Sequence, residues 1–198
     1  MFFKRIYCPY CGDEIKKNTA CKFCCSILKS LINKKVGKTK DCSYFTAPFL
    51  YKDIVREAIL DFKFNKKREF CKSFCHFITI HKTNFFDLIV CVPTFEKKFN
   101  SSKELCKVLS KKFKIKFYKN AVIKIKKTKN QHNCEIKERL INLKDSFKAD
   151  PKIVKNKKIL ICDDIITTAA TIQEISKVLK EAGAKHIEAI SFAISDKF

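Results

Sequence analysis

An apolar run that ends in two adjacent carboxylates constrains this chain more than any other feature. Residues 159–171 read Ile-Leu-Ile-Cys-Asp-Asp-Ile-Ile-Thr-Thr-Ala-Ala-Thr. The first four residues have the length and composition of a strand that is buried on both faces, as in a parallel sheet, and ligands bind where such strands end. We therefore expect Asp163 and Asp164 to lie at a ligand-binding edge of the sheet.

The residues of this segment also indicate which ligand would bind. Carboxylates only accept hydrogen bonds, so an acidic pair suits the two hydroxyls of a ribose, or a divalent cation that bridges to it. The start of a helix offers free N–H groups and a dipole that favours a phosphate. The residues before the predicted helix are small or carry hydroxyl groups: Thr167, Thr168, Ala169, Ala170 and Thr171. The pattern predicts a site for a phosphorylated sugar. The alternative is an ordinary crossover in which these residues only cap and turn, but their order is more restrictive than capping requires.

A helix and a second strand are expected after this loop. Thr171 and Glu174 have the spacing of a capping box, and apolar residues recur at helical intervals until Gly183. The apolar run from Ile187 to Ile194 then completes a β-α-β unit. The chain is therefore predicted to be an α/β protein with a parallel sheet.

Residues 159–171 resemble the phosphoribosyl pyrophosphate (PRPP) motif of type I phosphoribosyltransferases, a hydrophobic strand followed by Asp-Asp-x-x-Thr-Thr-Gly-x-Thr. The chain as a whole resembles the competence protein F (ComF) group within that family. The resemblance implies a type I phosphoribosyltransferase-like parallel sheet flanked by helices, with a small N-terminal zinc ribbon. It also implies that residues 163, 164 and 167–171 bind PRPP together with Mg²⁺. Ala169 replaces the motif's glycine, which would strain the loop by ~1 kcal/mol or more if that position requires a positive φ.

Four N-terminal cysteines have the spacing of a metal site. They form two Cys-x2-Cys pairs with nine residues between the pairs, and Gly12 stands where a metal knuckle would turn: Cys8, Cys11, Cys21 and Cys24. Four thiolates at this spacing can close a tetrahedral cage around Zn²⁺, which would supply most of the folding energy of so small a segment. Cys25, or more remotely Cys42, is an alternative fourth ligand.

Disulfides are the alternative to a zinc site. They are disfavoured because Cys91 and Cys162 lie inside apolar strands and resemble unpaired core residues of a protein in a reducing compartment.

The N-terminus lacks the apolar region of a signal peptide, and no apolar stretch approaches the ~20 residues of a membrane span. We expect a cytoplasmic protein without a membrane span.

Length and composition suggest one core with a small appendage. The chain has 198 residues, of which 46% are hydrophobic, enough for one α/β core. We expect a zinc ribbon at 1–30, a basic linker at 31–49 and the phosphoribosyltransferase-like domain at 50–198. The chain has three glycines, too few and too scattered for a Walker A loop or a Gly-x-Gly-x-x-Gly turn.

The net charge of +23 suggests a polyanionic partner only weakly. All but four of the 43 basic residues are lysines, a bias that an AT-rich genome produces without selection. The lysine-rich stretch 97–129 is interpreted as a solvated face, with a nucleic-acid or pyrophosphate-facing patch as the alternative. Lysines also lack the bidentate fork of arginine, so sequence-specific DNA binding is not predicted.

Further candidate residues come from the resemblance alone. A strand at 87–92 precedes a loop that faces the pyrophosphate in the resembled enzymes, here with Thr94, Lys97 and Lys98. A polar segment would form a mobile lid over the ligand, and a plain surface loop is the alternative; its candidate residues are Lys127, Lys129, Gln131 and Arg139. The pairs Lys63-Phe64 and Phe99-Asn100 also match parts of ComF patterns, although the sequence gives Lys63 no chemical role.

Three functions compete at this point. The favoured one is a ComF-like protein of natural competence and DNA uptake, with a PRPP-type pocket whose catalytic activity is left open. Single-stranded DNA and proteins of the competence machinery would be its partners. The second is a metabolic phosphoribosyltransferase for a nucleobase or related acceptor. The third is a zinc-ribbon nucleic-acid-binding module with a degenerate enzyme body.

Overall fold

The computed structural model describes residues 6–16, 20–80, 85–95, 99–128 and 142–196, and its central element is a six-stranded sheet. In spatial order the strands are β3 (Val36–Gly37), β4 (Tyr44–Thr46), β12 (His186–Ile190), β10 (Lys158–Cys162), β6 (Leu88–Cys91) and β7 (Lys116–Phe117). All neighbours are parallel except β3 and β4. The predicted α/β class with a parallel sheet is confirmed.

Three smaller sheets complete the strand set of the described residues. One is parallel, in the order β11 (Ile165–Ile166), β13 (Ala193–Ile194) and β5 (Phe49–Leu50). Two are antiparallel pairs: β1 (Ile6–Tyr7) with β2 (Glu14–Ile15), and β8 (Val122–Lys124) with β9 (Phe147–Ala149). The described helices are α1 (Lys22–Ser30), α2 (Asp53–Phe64), α3 (Arg68–Phe77), α4 (Ser101–Phe113), α5 (Pro151–Val154) and α6 (Ala170–Glu181).

The central sheet separates two hydrophobic cores. Alternate side chains of a strand point to opposite faces, and β10 divides accordingly. Leu160 and Cys162 belong to a core formed with α1, α2, α3 and α4. Ile159 and Ile161 belong to the core that contains the apolar face of α6. Because both faces are covered, β10 is a nearly continuous apolar run, and each fully buried Ile contributes about 1.5–3 kcal/mol to stability.

Three central strands leave the large sheet at the same level and continue in the small parallel sheet. Strand β10 continues as β11 after Asp163-Asp164, β12 as β13 after Ser191-Phe192, and β4 as β5 after Ala47-Pro48. Backbone hydrogen bonds join the breaks: Asp163 N–H donates to Ile190 O at 3.0 Å, and Phe192 N–H donates to Asp164 O at 3.1 Å. The acidic pair therefore lies in a break between two sheets, and not at a free strand end. The same break divides the predicted strand Ile187–Ile194 into β12 and β13.

The segment 31–49, which its basic composition suggested was a linker, carries three strands of the structure. Phe45 of β4 and Phe49 of β5 are fully buried, and β4 pairs in parallel with β12 in the central sheet. These strands are two or three residues long, too short to give a periodic signal, so the lysines around them dominated the sequence pattern.

The predicted capping box at the start of α6 is wrong. The N-cap residue is Ala169, which makes no side-chain capping bond, and Thr171 is already the second residue of the helix. The Glu174 carboxylate instead accepts a hydrogen bond from Asp145 N–H at 2.8 Å. The helix thus begins two residues earlier than the box requires.

Among the described residues, no helix is both long enough and apolar enough to cross a bilayer.

Candidate functional site

Asp163 is held in the break by two hydrogen bonds to one oxygen. It is 9% exposed, and its Oδ1 accepts from the Ser102 hydroxyl at 3.0 Å and from Asp164 N–H at 2.8 Å. Burial, followed by the charge of Asp164, raises the pKa of Asp163 to about 7, although Lys63 and the Ser102 hydroxyl act in the opposite direction. This carboxyl therefore ionises less readily than an exposed one.

Asp164 is held by a cation and a second hydroxyl. Its Oδ2 lies 3.0 Å from the Lys63 ammonium and accepts a hydrogen bond from the Ser101 hydroxyl. Both side chains of the ion pair are largely buried, with 24% of Lys63 and 13% of Asp164 exposed. Burial disfavours the charge on Lys63, but the nearby carboxylates of Asp164 and Asp163 outweigh it and raise the lysine's pKa.

The two serines are positioned by the way in which α4 begins. Asn100 is the N-cap of α4, and its Oδ1 accepts from Lys103 N–H at 2.8 Å. Its Nδ2 donates to Val92 O at 3.0 Å, which ties the helix start to the chain just after β6. The first two residues of α4, Ser101 and Ser102, then face the acidic pair because β6 and β10 are neighbours, with Cys91 opposite Cys162.

Lys63, Ser101 and Ser102 were not among the site residues predicted from the sequence. The only sequence signal for Lys63 was the Lys-Phe pair of the ComF pattern. For the serines, the only signal was a helix start of the form Asn-Ser-Ser. All three are more than sixty positions from the acids that they contact, so local patterns could not pair them.

The threonine segment forms the other end of the site. Thr167, Thr168, Ala169, Ala170 and Thr171 line one small hollow together with Asp163. Ala169, which replaces the motif's glycine, has φ +53°, a left-handed conformation. The backbone is therefore strained at this residue, as expected for an alanine with a positive φ. The first turn of α6 lacks a side-chain cap, and the first N–H groups of a helix have no partner within it, so they are oriented for an anion.

The other residues predicted from the resemblance are placed only in part. Thr94 is exposed and follows β6 at the edge where β10 also ends. Lys127 is exposed just beyond β8. The remaining predicted residues of the pyrophosphate loop and the lid lie outside the described residues: Lys97, Lys98, Lys129, Gln131 and Arg139.

The four N-terminal cysteines converge on one point. The sulfur atoms of Cys8, Cys11, Cys21 and Cys24 all lie within 4.8 Å of one another, an arrangement that could hold a metal ion. Tetrahedral Zn–S bonds would require sulfur separations of about 3.8 Å, so the cage needs only a small contraction. Neither Cys25 nor Cys42 belongs to the group; the Cys42 thiol donates to Tyr44 O at 3.3 Å.

Local backbone geometry creates this cluster. Gly12 has φ +83°, and its N–H donates to Cys8 O at 2.9 Å to close the turn between β1 and β2. Cys21 is the N-cap of α1, and its sulfur accepts from Cys24 N–H at 3.4 Å. Burial opposes ionisation of Cys8, but backbone N–H groups directed at its sulfur, that of Cys21 first, lower its pKa to about 7. Cys8 therefore ionises more readily than an ordinary cysteine. A backbone N–H group lowers the pKa of Cys11, but desolvation and the neighbouring sulfur atoms outweigh it and raise that pKa, and burial raises the pKa of Cys24. A bound metal ion would favour the thiolate form of all four.

Comparison with known proteins agrees with this geometry. Residues 100–197 match the sequence model of the phosphoribosyl transferase domain family. The chain is 32% identical over 107 residues to the DNA utilization protein YhgH of Escherichia coli K12, and this match covers 52% of the chain and 47% of YhgH. It is 30% identical over 117 residues to competence protein F of Haemophilus influenzae, covering 54% of this chain and 50% of that protein. The chain is similar to competence protein F and YhgH, and its residues 100–197 are similar to phosphoribosyl transferase domains.

The sequence resemblance to the ComF group is thereby confirmed. This ComF-like chain spans about half the length of the curated relatives that it matches. Among solved structures, adenine phosphoribosyltransferase of Thermoanaerobacter pseudethanolicus aligns with 86% of the chain and 99% of its own length, with 17% identity and a TM-score of 0.42.

Replacing Asp163 with Asn should stabilise the ComF-like fold at high pH. A raised carboxyl pKa means that the folded state is most stable while the group is protonated, and this stability is lost as the pH rises from 3.8 to about 7. Asn cannot ionise, so we expect Asp163→Asn to raise the free energy of unfolding by up to about 4 kcal/mol at about pH 8. The difference should nearly vanish at about pH 4. Thermal unfolding at both pH values measures it.

Asp164→Asn is the matched comparison, and its effect should have the opposite sign. It leaves the Lys63 ammonium largely buried without its partner at 3.0 Å, so unfolding at about pH 8 should occur at a lower temperature than in the unmodified chain. Equal shifts in both variants would contradict the unequal environments described for the two acids.

Restoring the motif's glycine should relieve the strain of the loop. Ala169 carries a side chain at φ +53°, which costs about 1–2 kcal/mol. We expect Ala169→Gly to stabilise the protein by about 1 kcal/mol, seen as a higher denaturant midpoint at an unchanged m-value. Ala170→Gly, one residue into the helix, should instead destabilise it by about 0.5–1 kcal/mol; destabilisation by both changes would argue against strain at residue 169.

Proposed function

We propose that the chain binds PRPP, or a related 5-phosphorylated ribose, with Mg²⁺ at the break between the two sheets. The main support is that Asp163 and the segment Thr167–Thr171 line one hollow. A carboxylate that accepts hydrogen bonds therefore lies a few residues from hydroxyl and N–H groups that donate them. A ribose 5-phosphate has the complementary groups, with donor hydroxyls at one end and an anion at the other.

Each part of the chain has a defined role in this proposal. The acidic pair accepts the hydrogen bonds of the ribose hydroxyls, and Ser101 and Ser102 keep the two carboxylates in place. The hydroxyls and N–H groups of Thr167, Thr168 and Thr171, with the dipole of α6, hold the 5-phosphate. Lysines 97 and 98 of the proposed pyrophosphate loop would face the leaving group, and the segment with Lys127, Lys129, Gln131 and Arg139 would cover it.

The site suits Mg²⁺ that arrives with the ligand, because the side chains of the acidic pair offer carboxylate oxygens. Mg²⁺ bound with PRPP would neutralise the pyrophosphate. Displacement of that pyrophosphate by a nitrogen nucleophile is the reaction class that this arrangement supports, and the chain's contribution would be to orient the ribose and exclude water.

The biological role that we propose is in natural competence and the handling of incoming DNA. Relatives named competence protein F and DNA utilization protein match about half of this chain. Single-stranded DNA and proteins of the competence machinery are the proposed partners. We place the protein in the cytoplasm, a location supported by the eleven described cysteines, none of which forms a disulfide.

Binding of PRPP tests the pocket directly. Calorimetric titration with PRPP and Mg²⁺ should give saturable binding to the unmodified chain. Asp163→Asn should weaken it by at least about tenfold, because a charged acceptor is lost. Asp145→Asn removes an exposed surface acid that is paired with Lys177 and should leave the affinity unchanged. Absence of binding to the unmodified chain at millimolar PRPP would refute the proposed pocket, whereas release of pyrophosphate with one of a panel of nucleobases would favour the metabolic function.

We also propose that Cys8, Cys11, Cys21 and Cys24 hold a structural Zn²⁺. We expect one zinc per unmodified chain by elemental analysis and loss of most of it in Cys24→Ser. Cys25→Ser is the matched control, since Cys25 is adjacent but outside the cluster, and it should retain the metal. A zinc content that falls only in Cys25→Ser would assign the fourth ligand to Cys25.

A further inference from the structure

Lys63 occupies a position that the proposed function leaves unexplained. Its ammonium lies 3.0 Å from Asp164 Oδ2, where a ribose hydroxyl or a metal ion would otherwise approach the carboxylate. The inference that follows rests on the proposed PRPP site. It concerns which form of the ligand that site accepts.

The packing around α2 fixes this lysine in place. Phe62, one residue before it, is fully buried, and its ring centroid lies 5.3 Å from that of Phe99 and 5.7 Å from that of Phe192. Phe99 directly precedes the cap that positions Ser101 and Ser102. The N–H of Phe192 donates to Asp164 O at 3.1 Å. The backbone that carries Lys63 is therefore anchored to the same residues that build the acidic site.

The acidic pair and the groups that contact it carry a net negative charge when both acids are ionised. When both carboxylates are ionised they carry two negative charges, and the contacting groups supply one cation, Lys63, and two neutral hydroxyls. A free divalent cation that approaches Asp164 meets the ammonium and is repelled, because charges interact strongly in a partly buried site. A complex of the same cation with a polyanion carries a net negative charge, so the ammonium attracts it.

We propose that Lys63 determines the specificity of this site: it excludes free divalent cations from the acidic pair and admits the complex of the cation with the pyrophosphate-bearing sugar. The metal then enters only together with the ligand. The pair remains oriented by Lys63 and the two serines until that ligand arrives.

Two binding measurements on the zinc-loaded full chain test this role. The probes are Mn²⁺ alone, followed by electron paramagnetic resonance, and Mg²⁺ with PRPP, followed by calorimetry. Lys63→Met should bind Mn²⁺ about tenfold more tightly, because the competing charge is gone. The same variant should bind Mg²⁺ with PRPP about tenfold more weakly, because the attracting charge is gone as well.

Two further variants serve as controls. Lys63→Arg retains the charge and should behave like the unmodified chain in both measurements. Lys67→Met removes an exposed lysine, four residues further along the chain, that pairs with Asp61 at 2.6 Å, and it should change neither affinity. Opposite shifts of the two affinities are required, since a residue with a merely structural role would move both in one direction.

Two outcomes overturn the inference. If Lys63→Met leaves the Mn²⁺ affinity unchanged while the unmodified chain binds PRPP, the role assigned to Lys63 is wrong and the proposed function stands. If both affinities fall in Lys63→Met and Lys63→Arg restores them, Lys63 only supports the structure of the site. Failure of the unmodified chain to bind Mg²⁺ with PRPP would instead overturn the proposed function and the role of Lys63 with it.

Discussion

The burial of two adjacent carboxylates in the break after β10 is the constraint on which the rest of the site depends. Like charges this close, removed from water, are tolerated only when donors and a cation surround them. The chain supplies these groups from α2 and from the start of α4. The positions of both helices against β10 are thus determined by the chemistry of the acids as well as by apolar packing.

The same segment also contains the backbone strain of Ala169, and the two features have a common consequence. A raised carboxyl pKa and a left-handed alanine both reduce stability, yet Asp163 and Ala169 line the same hollow, together with the threonines. Unfavourable local states of this kind persist only where the surrounding structure imposes them, and they concentrate at binding sites. The large buried cores on both faces of β10 supply the stability that allows them.

The sequence predicted those parts of this arrangement that depend on neighbouring residues. Strand β10, the loop after it and the cysteine spacing are local patterns, and the structure places their residues together. Lys63, Ser101 and Ser102 reach the acids from distant elements, so only the fold brings them there. The capping box failed for a different reason: Thr171 and Glu174 have the required spacing, but the backbone turns into the helix at Ala169. The strands within 31–49 are recognisable only through their pairing with β12 and β13.

The cysteine cluster belongs to the same packed unit as the acidic site. Tyr10, between Cys8 and Cys11, shares a hydrogen bond of 3.0 Å with Ser73 of α3, and its ring packs edge-on against Phe74, with ring centroids 6.1 Å apart. Phe74 packs in turn against Phe192, whose backbone contacts Asp164. A metal that orders the segment around Tyr10 would therefore add to the packing of α3 beside α2, the helix that carries Lys63. With a metal bound, the N-terminal cysteines would stabilise the core under the site as well as their own turn.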